Sequence, residues 1–188
     1  FKTPVIESTG SGGGLKLFCK GLGTEHPDIT NASRRIKMKE VKKCSENGVT
    51  DITEIKVGYD GIAMANSKAG SDLELSLKDI YLALAKVVPA DPDGNTVKPN
   101  PYKMWNEVNP KLPTAPILVI GPPPTSGTRD AFNELAIEKG CREFIGRKDL
   151  KKKDKKLYKK ECRGVREDGA YVEAGENDNL IIEKLVSD

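Results

Sequence analysis

The chain has 188 residues, enough for one large domain or two small ones with a real core. With 37% hydrophobic and 31% charged residues, and no run near the roughly 20 apolar residues of a membrane-crossing helix, it reads as a water-soluble globular protein and not a helical membrane protein. A net charge of +3 is too mild to dictate a polyanionic partner.

The chain opens on Phe1, without a methionine or a signal-like apolar segment, and so reads as a mature product or an excised fragment. Residues 4–8 predict a strand, which runs into the turn Thr9-Gly10-Ser11-Gly12-Gly13-Gly14. Leu15, Leu17, Phe18 and Leu22 then predict a short helix ending at Gly23. Residues 28–32 read as a second strand, 37–47 as a helix stopped by Gly48, and 53–65 as a long third strand interrupted by Gly58 and Gly61. Ser76 with Asp79 three residues on marks a helix start, and Leu77, Ile80, Leu82, Leu84 and Val87 supply its apolar content. Residues 89–116 hold most of the prolines and predict a loop-rich region with one helical turn around Lys103. Residues 116–120 predict a buried strand, and Ser126 caps a helix running to about Lys139 before Gly140.

Between Arg147 and Arg166 eleven Lys or Arg residues face only Asp149, Asp154 and Glu161. With Tyr158 as the sole interleaved aromatic, this run reads as a solvated helix or loop and not as a nucleic-acid surface. Residues 176–186 predict a closing helix. The alternation of short apolar runs with helical patterns argues an α/β protein with crossovers between parallel strands.

Cys19, Cys44, Cys141 and Cys162 show no CxxC spacing, and His26 is the only histidine, which argues against a zinc site. Their even number favours two disulfides, with local pairing in chain order the simplest of three connectivities and an oxidising compartment as its corollary. Four buried free thiols are the alternative.

The glycine cluster at 9–14 and the later Thr125-Ser126-Gly127-Thr128-Arg129 each sit where a strand should run into a helix. Such turns aim backbone N–H groups and hydroxyls at an anion from a helix N-terminus. Two of them suggest one anion held between two lobes.

The stretch TGSGGGLKLFCKGLG followed by DITNASR, the later EIKVGYDGIAMA and the motif GPPPTSGTRDAF resemble, in order, the periplasmic phosphate-binding proteins of ABC importers. The resemblance implies a type II periplasmic binding-protein fold with two lobes and mixed sheets. It implies capture of inorganic phosphate in the periplasm and its delivery to a membrane permease, with no cofactor and no covalent chemistry. Family members are longer, so the chain reads as truncated at both ends, with residues 1–57 part of lobe one and 58–188 the crossover strand and most of lobe two.

Residue by residue, the resemblance makes Ser11 a hydroxyl donor to phosphate, lets Gly12 and Gly13 bring backbone close, and makes Ser126, Gly127 and Thr128 the second-lobe clamp. Where some members carry ASD, with an aspartate that accepts the phosphate proton, this chain has Ala32-Ser33-Arg34. Where other members place an arginine ahead of the SGT motif, it has Pro122-Pro123-Pro124. The two departures compensate, and Ser33 and Arg34 join the expected site, Arg34 as a charge-assisted ligand. Asp60 is the candidate proton acceptor, a buried carboxylate that would repel sulfate. Arg129 is a reserve anion ligand.

Sulfate or another oxyanion is the alternative ligand. An enzyme is argued against by the absence of a GxxxxGK[ST] loop and of a convincing dinucleotide fingerprint, and by the single histidine, which leaves no Ser-His-Asp set. A nucleic-acid module built on the basic run is the third class, and strongly salt-dependent binding would be its signature.

Overall fold

The computed structural model describes residues 9–175 and 177–187. In chain order the helices are α1 (Gly10–Phe18), α2 (Met38–Glu46), α3 (Leu77–Leu84), α4 (Trp105–Val108) and α5 (Gly127–Phe132). A π-helical turn, Asn133–Ile137, precedes α6 (Glu138–Cys141), α7 (Ile145–Lys148), α8 (Leu150–Lys153), α9 (Lys155–Cys162) and α10 (Asp178–Ser187). The strands are β1 (Val87–Pro89), β2 (Val97–Pro99), β3 (Val119–Gly121) and β4 (Tyr171–Glu173), so the chain is mixed α/β with small sheets. By its contacts it divides into two compact units, Phe1–Ala63 with Pro122–Ala131, and Met64–Gly121 with Phe132–Asp188.

In the first unit, α1 begins inside the glycine cluster where a turn was expected. Gly10 takes the left-handed φ of 65° that turns the chain into the helix. The next glycines let neighbours close in: a Cβ on Gly13 would lie 2.8 Å from Thr9 Cβ, and one on Gly14 2.6 Å from Thr30 Oγ1. Residues 28–34 therefore cross tightly over α1, and the Ser33 N–H donates to Ser11 Oγ at 3.0 Å. The strand expected at 28–32 is irregular: Ile29 is exposed, and no described strand lies beside the segment. The strand expected at 53–65 is irregular too. Its apolar residues Ile55, Val57 and Tyr59 are exposed, and no described strand lies beside it to complete the ladder. The strand expected at 4–8 lies outside the described residues.

Helix α2 lies within its expected bounds. Its start is held by Glu40, whose carboxylate accepts the Lys37 N–H at 2.8 Å, and its end by Gly48 at φ 83°. A disulfide joins Cys19 to Cys44, and Val49, Phe18 and Ile52 complete a small apolar cluster around it.

The second unit is built on α3, whose Tyr81, Ala83 and Leu84 are fully buried. Its capping box forms as expected: Ser76 Oγ accepts the Asp79 N–H at 3.1 Å, and Asp79 Oδ2 accepts the Ser76 N–H at 3.0 Å. The helix expected from Ser126 to Lys139 is three consecutive helical segments that run through Gly140 to Cys141. Gly140 is a packing point and not a stop, because a Cβ there would overlap the Leu77 carbonyl oxygen and lie 2.7 Å from Tyr81 Cβ.

The proline-rich stretch contains α4 as expected, and also β2, which pairs antiparallel with β1, Val88 opposite Lys98; Val87, expected in the helix from Ser76, lies in β1 because α3 ends at Leu84. The strand expected at 116–120 is β3, displaced to Val119–Gly121 and parallel to β4 with Ile120 opposite Val172. A second disulfide, Cys141–Cys162, ties α6 to α9, so both expected pairings are present. The basic run forms α7, α8 and α9, and Arg147 and Arg166 near its two ends are buried. The closing helix is α10, while Glu176 lies outside the described residues. Trp105 packs in the main apolar cluster with Tyr102 against it.

Candidate functional site

Within the first unit, the starts of α1 and α5 and the crossing segment 28–34 bring three small residues together. Ser11 Oγ lies 3.1 Å from Ser33 Oγ. Gly127 faces them so closely that a Cβ there would overlap both hydroxyl oxygens and lie 2.9 Å from Ser11 Cβ. Gly12 approaches the loop before α5, where a Cβ would sit 3.3 Å from the Thr125 carbonyl. The first amides of α1, which have no intrahelical acceptor, receive no side-chain cap from Thr9, and α1 is uncapped in this sense among the described residues.

Ser11 Oγ accepts the Ser33 N–H and shares one proton with Ser33 Oγ, which leaves one hydroxyl proton for a third partner. Ser126 is buried, and its Oγ caps α5 by accepting the N–H of Thr128 at 3.1 Å and of Arg129 at 3.4 Å. That oxygen is engaged as an acceptor, so its proton is free to donate outward. The result is a patch of neutral donors beside the start of α1, an arrangement suited to an oxyanion.

Arg34 borders this patch but is committed to carboxylates. Nη1 and Nη2 donate to the two oxygens of Glu40 at 2.9 and 2.8 Å, and Nη1 also reaches the Arg35 carbonyl. Nε lies 3.1 Å from Asp130 Oδ2 at an angle too poor for a hydrogen bond, which leaves that buried N–H short of an aligned acceptor. Lys37 Nζ meets the same Asp130 oxygen at 2.6 Å. Two cations thus balance two anions. Burial works to raise the Glu40 carboxyl, but the hydrogen bonds and charges of Arg34 and Lys37 outweigh it and hold the carboxyl below its ordinary value. The Glu40 hydrogen bond likewise raises Arg34.

The structure therefore gathers Ser11, Gly12, Ser33, Ser126, Gly127 and Thr128, with Arg34 alongside. Gly13 follows in α1, turned to Thr9. Asp60 stands apart from the burial expected of it: it is exposed in the irregular 53–65 segment, and its Oδ1 accepts the adjacent Gly61 N–H at 2.9 Å. Arg129 is buried and donates to the Pro122 carbonyl at 2.8 Å, bracing the triple-proline loop. Glu40, Lys37 and Asp130 were not foreseen. Glu40, three residues after Lys37, carried a capping signal, whereas Asp130 carried none, being 93 residues from Lys37.

Among the described residues, no helix is long and apolar enough to cross a membrane, and no group of three or more His, Cys, Asp or Glu is placed to hold a metal ion. The family model of a PBP superfamily domain matches residues 1–187. Protein SphX of Synechococcus elongatus is 33% identical over 135 residues, which are 72% of this chain and 36% of that protein. Protein SphX of Synechocystis sp. is 32% identical over 136 residues, 70% of this chain and 35% of the relative. The phosphate-binding protein PstS of Staphylococcus saprophyticus is 33% identical over 137 residues, 71% of this chain and 36% of that protein. The matched part thus spans about a third of the length of these curated relatives. No solved structure matches the chain.

Proposed function

The chain belongs to the PBP superfamily, and from that premise we propose that it captures inorganic phosphate outside the cytoplasm and delivers it, chemically unchanged, to the membrane permease of an ABC importer. The observation that carries this reading is the convergence of Ser11, Ser33 and Gly127 at the uncapped start of α1. The PstS relative is a phosphate-binding protein, which supports the ligand. Two disulfides support an oxidising compartment such as the periplasm.

In this mechanism the amides of Gly12 and Gly13, the one hydroxyl proton left by the Ser11–Ser33 pair, the hydroxyl of Ser126, and the backbone of Gly127 and Thr128 donate to the phosphate oxygens. Arg34 adds charge through its poorly satisfied Nε–H once the anion exchanges with Asp130. Preference over sulfate needs a carboxylate that accepts the proton phosphate still carries. Asp130, already beside Arg34, is favoured for this role over the exposed Asp60.

Isothermal titration with phosphate, and with sulfate as control, tests the reading. Saturable binding of phosphate and weaker binding of sulfate is the expected result, and the absence of any phosphate heat or displacement sinks it. Loss of the preference in Asp130→Asn but not in Asp60→Asn is expected, and the reverse pattern restores Asp60 to the role.

A further inference from the structure

The cationic run at 147–166 plays no part in anion capture as described above, and its charges divide into two kinds. The arginines are engaged in the fold. Arg147 pairs with Glu161 and donates to the carbonyls of Gly94 and Asn95, Arg163 pairs with Glu138 at 2.8 Å, and Arg166 forks onto Asp168. Of the lysines, Lys151 meets Glu138 at 3.1 Å and Lys152 stands 3.9 Å from Asp149. Lys148, Lys153, Lys155, Lys156, Lys159 and Lys160 are exposed, and no interaction of their side chains is found among the described residues.

These six charges sit on a frame that holds them outward. At 3.6 residues per turn, Lys155, Lys156, Lys159 and Lys160 share one arc of α9. The other side of α9 is anchored by the Cys141–Cys162 disulfide and by Tyr158, whose buried hydroxyl donates to Glu138 at 2.8 Å. Asp154 fixes the start of α9 by accepting the N–H of Lys156 and Leu157. Beside the lysines, Ile145 is 69% exposed and Leu157 37% exposed. The run carries a surplus of eight positive charges in a chain of net +3, so the remaining residues are net negative by five.

We propose that the surface of α7, α8 and α9 docks this protein peripherally on an anionic lipid bilayer. The six lysines face the headgroup phosphates, and Ile145 and Leu157 enter the headgroup layer. Three features favour a bilayer over a nucleic acid. The free charges are lysines, which attract without the planar recognition of arginine. The run's single aromatic, Tyr158, is buried and offers no stacking face. Exposed aliphatic side chains among clustered lysines are the composition of an interfacial helix surface. The net negative remainder is repelled by the same bilayer, which orients the molecule lysine face down.

Co-sedimentation with phosphatidylglycerol-containing vesicles, against pure phosphatidylcholine vesicles, tests the proposal on the whole chain. Binding to the anionic vesicles that weakens with salt is expected, with little to the zwitterionic ones. Each lysine near the surface strengthens binding by about fivefold, so the quadruple variant Lys155→Gln, Lys156→Gln, Lys159→Gln, Lys160→Gln should bind on the order of 600-fold more weakly. Its melting transition should match the parent, because the replaced side chains are exposed and make no hydrogen bond or ion pair among the described residues. Ile145→Ser should weaken vesicle binding severalfold without changing its salt dependence. Equal binding to both vesicle types, or an unaffected quadruple variant, overturns the proposal. So does full displacement from anionic vesicles by duplex DNA or RNA at equal phosphate concentration, which would assign the surface to nucleic acid.

Discussion

Replacing Gly127 with alanine puts a methyl group where the structure leaves room only for hydrogen. The added Cβ overlaps Ser33 Oγ and Ser11 Oγ and comes within 2.9 Å of Ser11 Cβ. Rotation of the two serines relieves the oxygen overlaps but leaves the carbon contact, so the segments must also shift. The rotation turns both hydroxyls away from the point where they converge. A hydrogen bond to a charged group contributes about 1.5–3 kcal/mol, so the loss of one or two costs an anion roughly 3 kcal/mol. That is about a 100-fold drop in phosphate affinity, at about 1.4 kcal/mol per tenfold. Overpacking costs the fold itself about 1–3 kcal/mol, which a thermal melt reads separately. Isothermal titration of the parent and Gly127→Ala measures the affinity term. An affinity within about twofold of the parent would mean that the serine–glycine convergence does not hold the anion.

Three further outcomes follow from the same structure. Gly140→Ala should destabilise the second unit by about 3 kcal/mol in denaturant unfolding, since the Leu77 carbonyl cannot swing aside as a side chain can. Joint replacement of Cys141 and Cys162 by serine releases a loop whose ends are 21 residues apart and should cost about 3 kcal/mol, and an unchanged transition would deny the bridge a stabilising role. Because Glu40 is held below its ordinary value of 4.5, its contribution to stability is fully present above that pH and is lost as pH falls through the lower folded value. Melts should therefore be level in this contribution from neutral pH to about 5 and decline below it, and Glu40→Gln should flatten the decline. An identical acid slope in Glu40→Gln would place the loss elsewhere.

What the sequence made legible was local. Helix α2 announced itself through its glycine stop and α3 through its capping residues, signals that act within a few positions and are present in the fold. The cysteine pairing was legible because each pair brackets one short stretch. The strands at 28–32 and 53–65 failed for a tertiary reason. Their apolar pattern specifies a face, but a strand also needs a neighbour, and the described residues provide none. The pair β1–β2 escaped notice because prolines at the ends of both strands look like loop punctuation, though Pro89 and Pro99 are compatible with strand ends. In the site, Ser11, Ser33 and Gly127 were picked out by residue type and resemblance. The partners of Arg34 were not, because Asp130 is close only in space and a carboxylate in a helix's first turn looks like an ordinary cap. Asp60 shows the converse: its flanking glycines suggested a special position, and the structure gives it an exposed one.

The glycines that open α1 have a dynamic consequence. Each glycine in a helix costs about 1 kcal/mol relative to alanine, so Gly12, Gly13 and Gly14 together leave the first turn about 3 kcal/mol less self-sufficient than an alanine-rich one. The Ser11–Ser33 bonds and the crossing segment offset part of that deficit. The amides of residues 10–14 and 33 should accordingly be among the first in the unit to exchange with deuterated water, through local opening and not global unfolding. An anion seated on those amides adds free energy to this turn before any other part of the chain, so its arrival would be registered first as slowed exchange there.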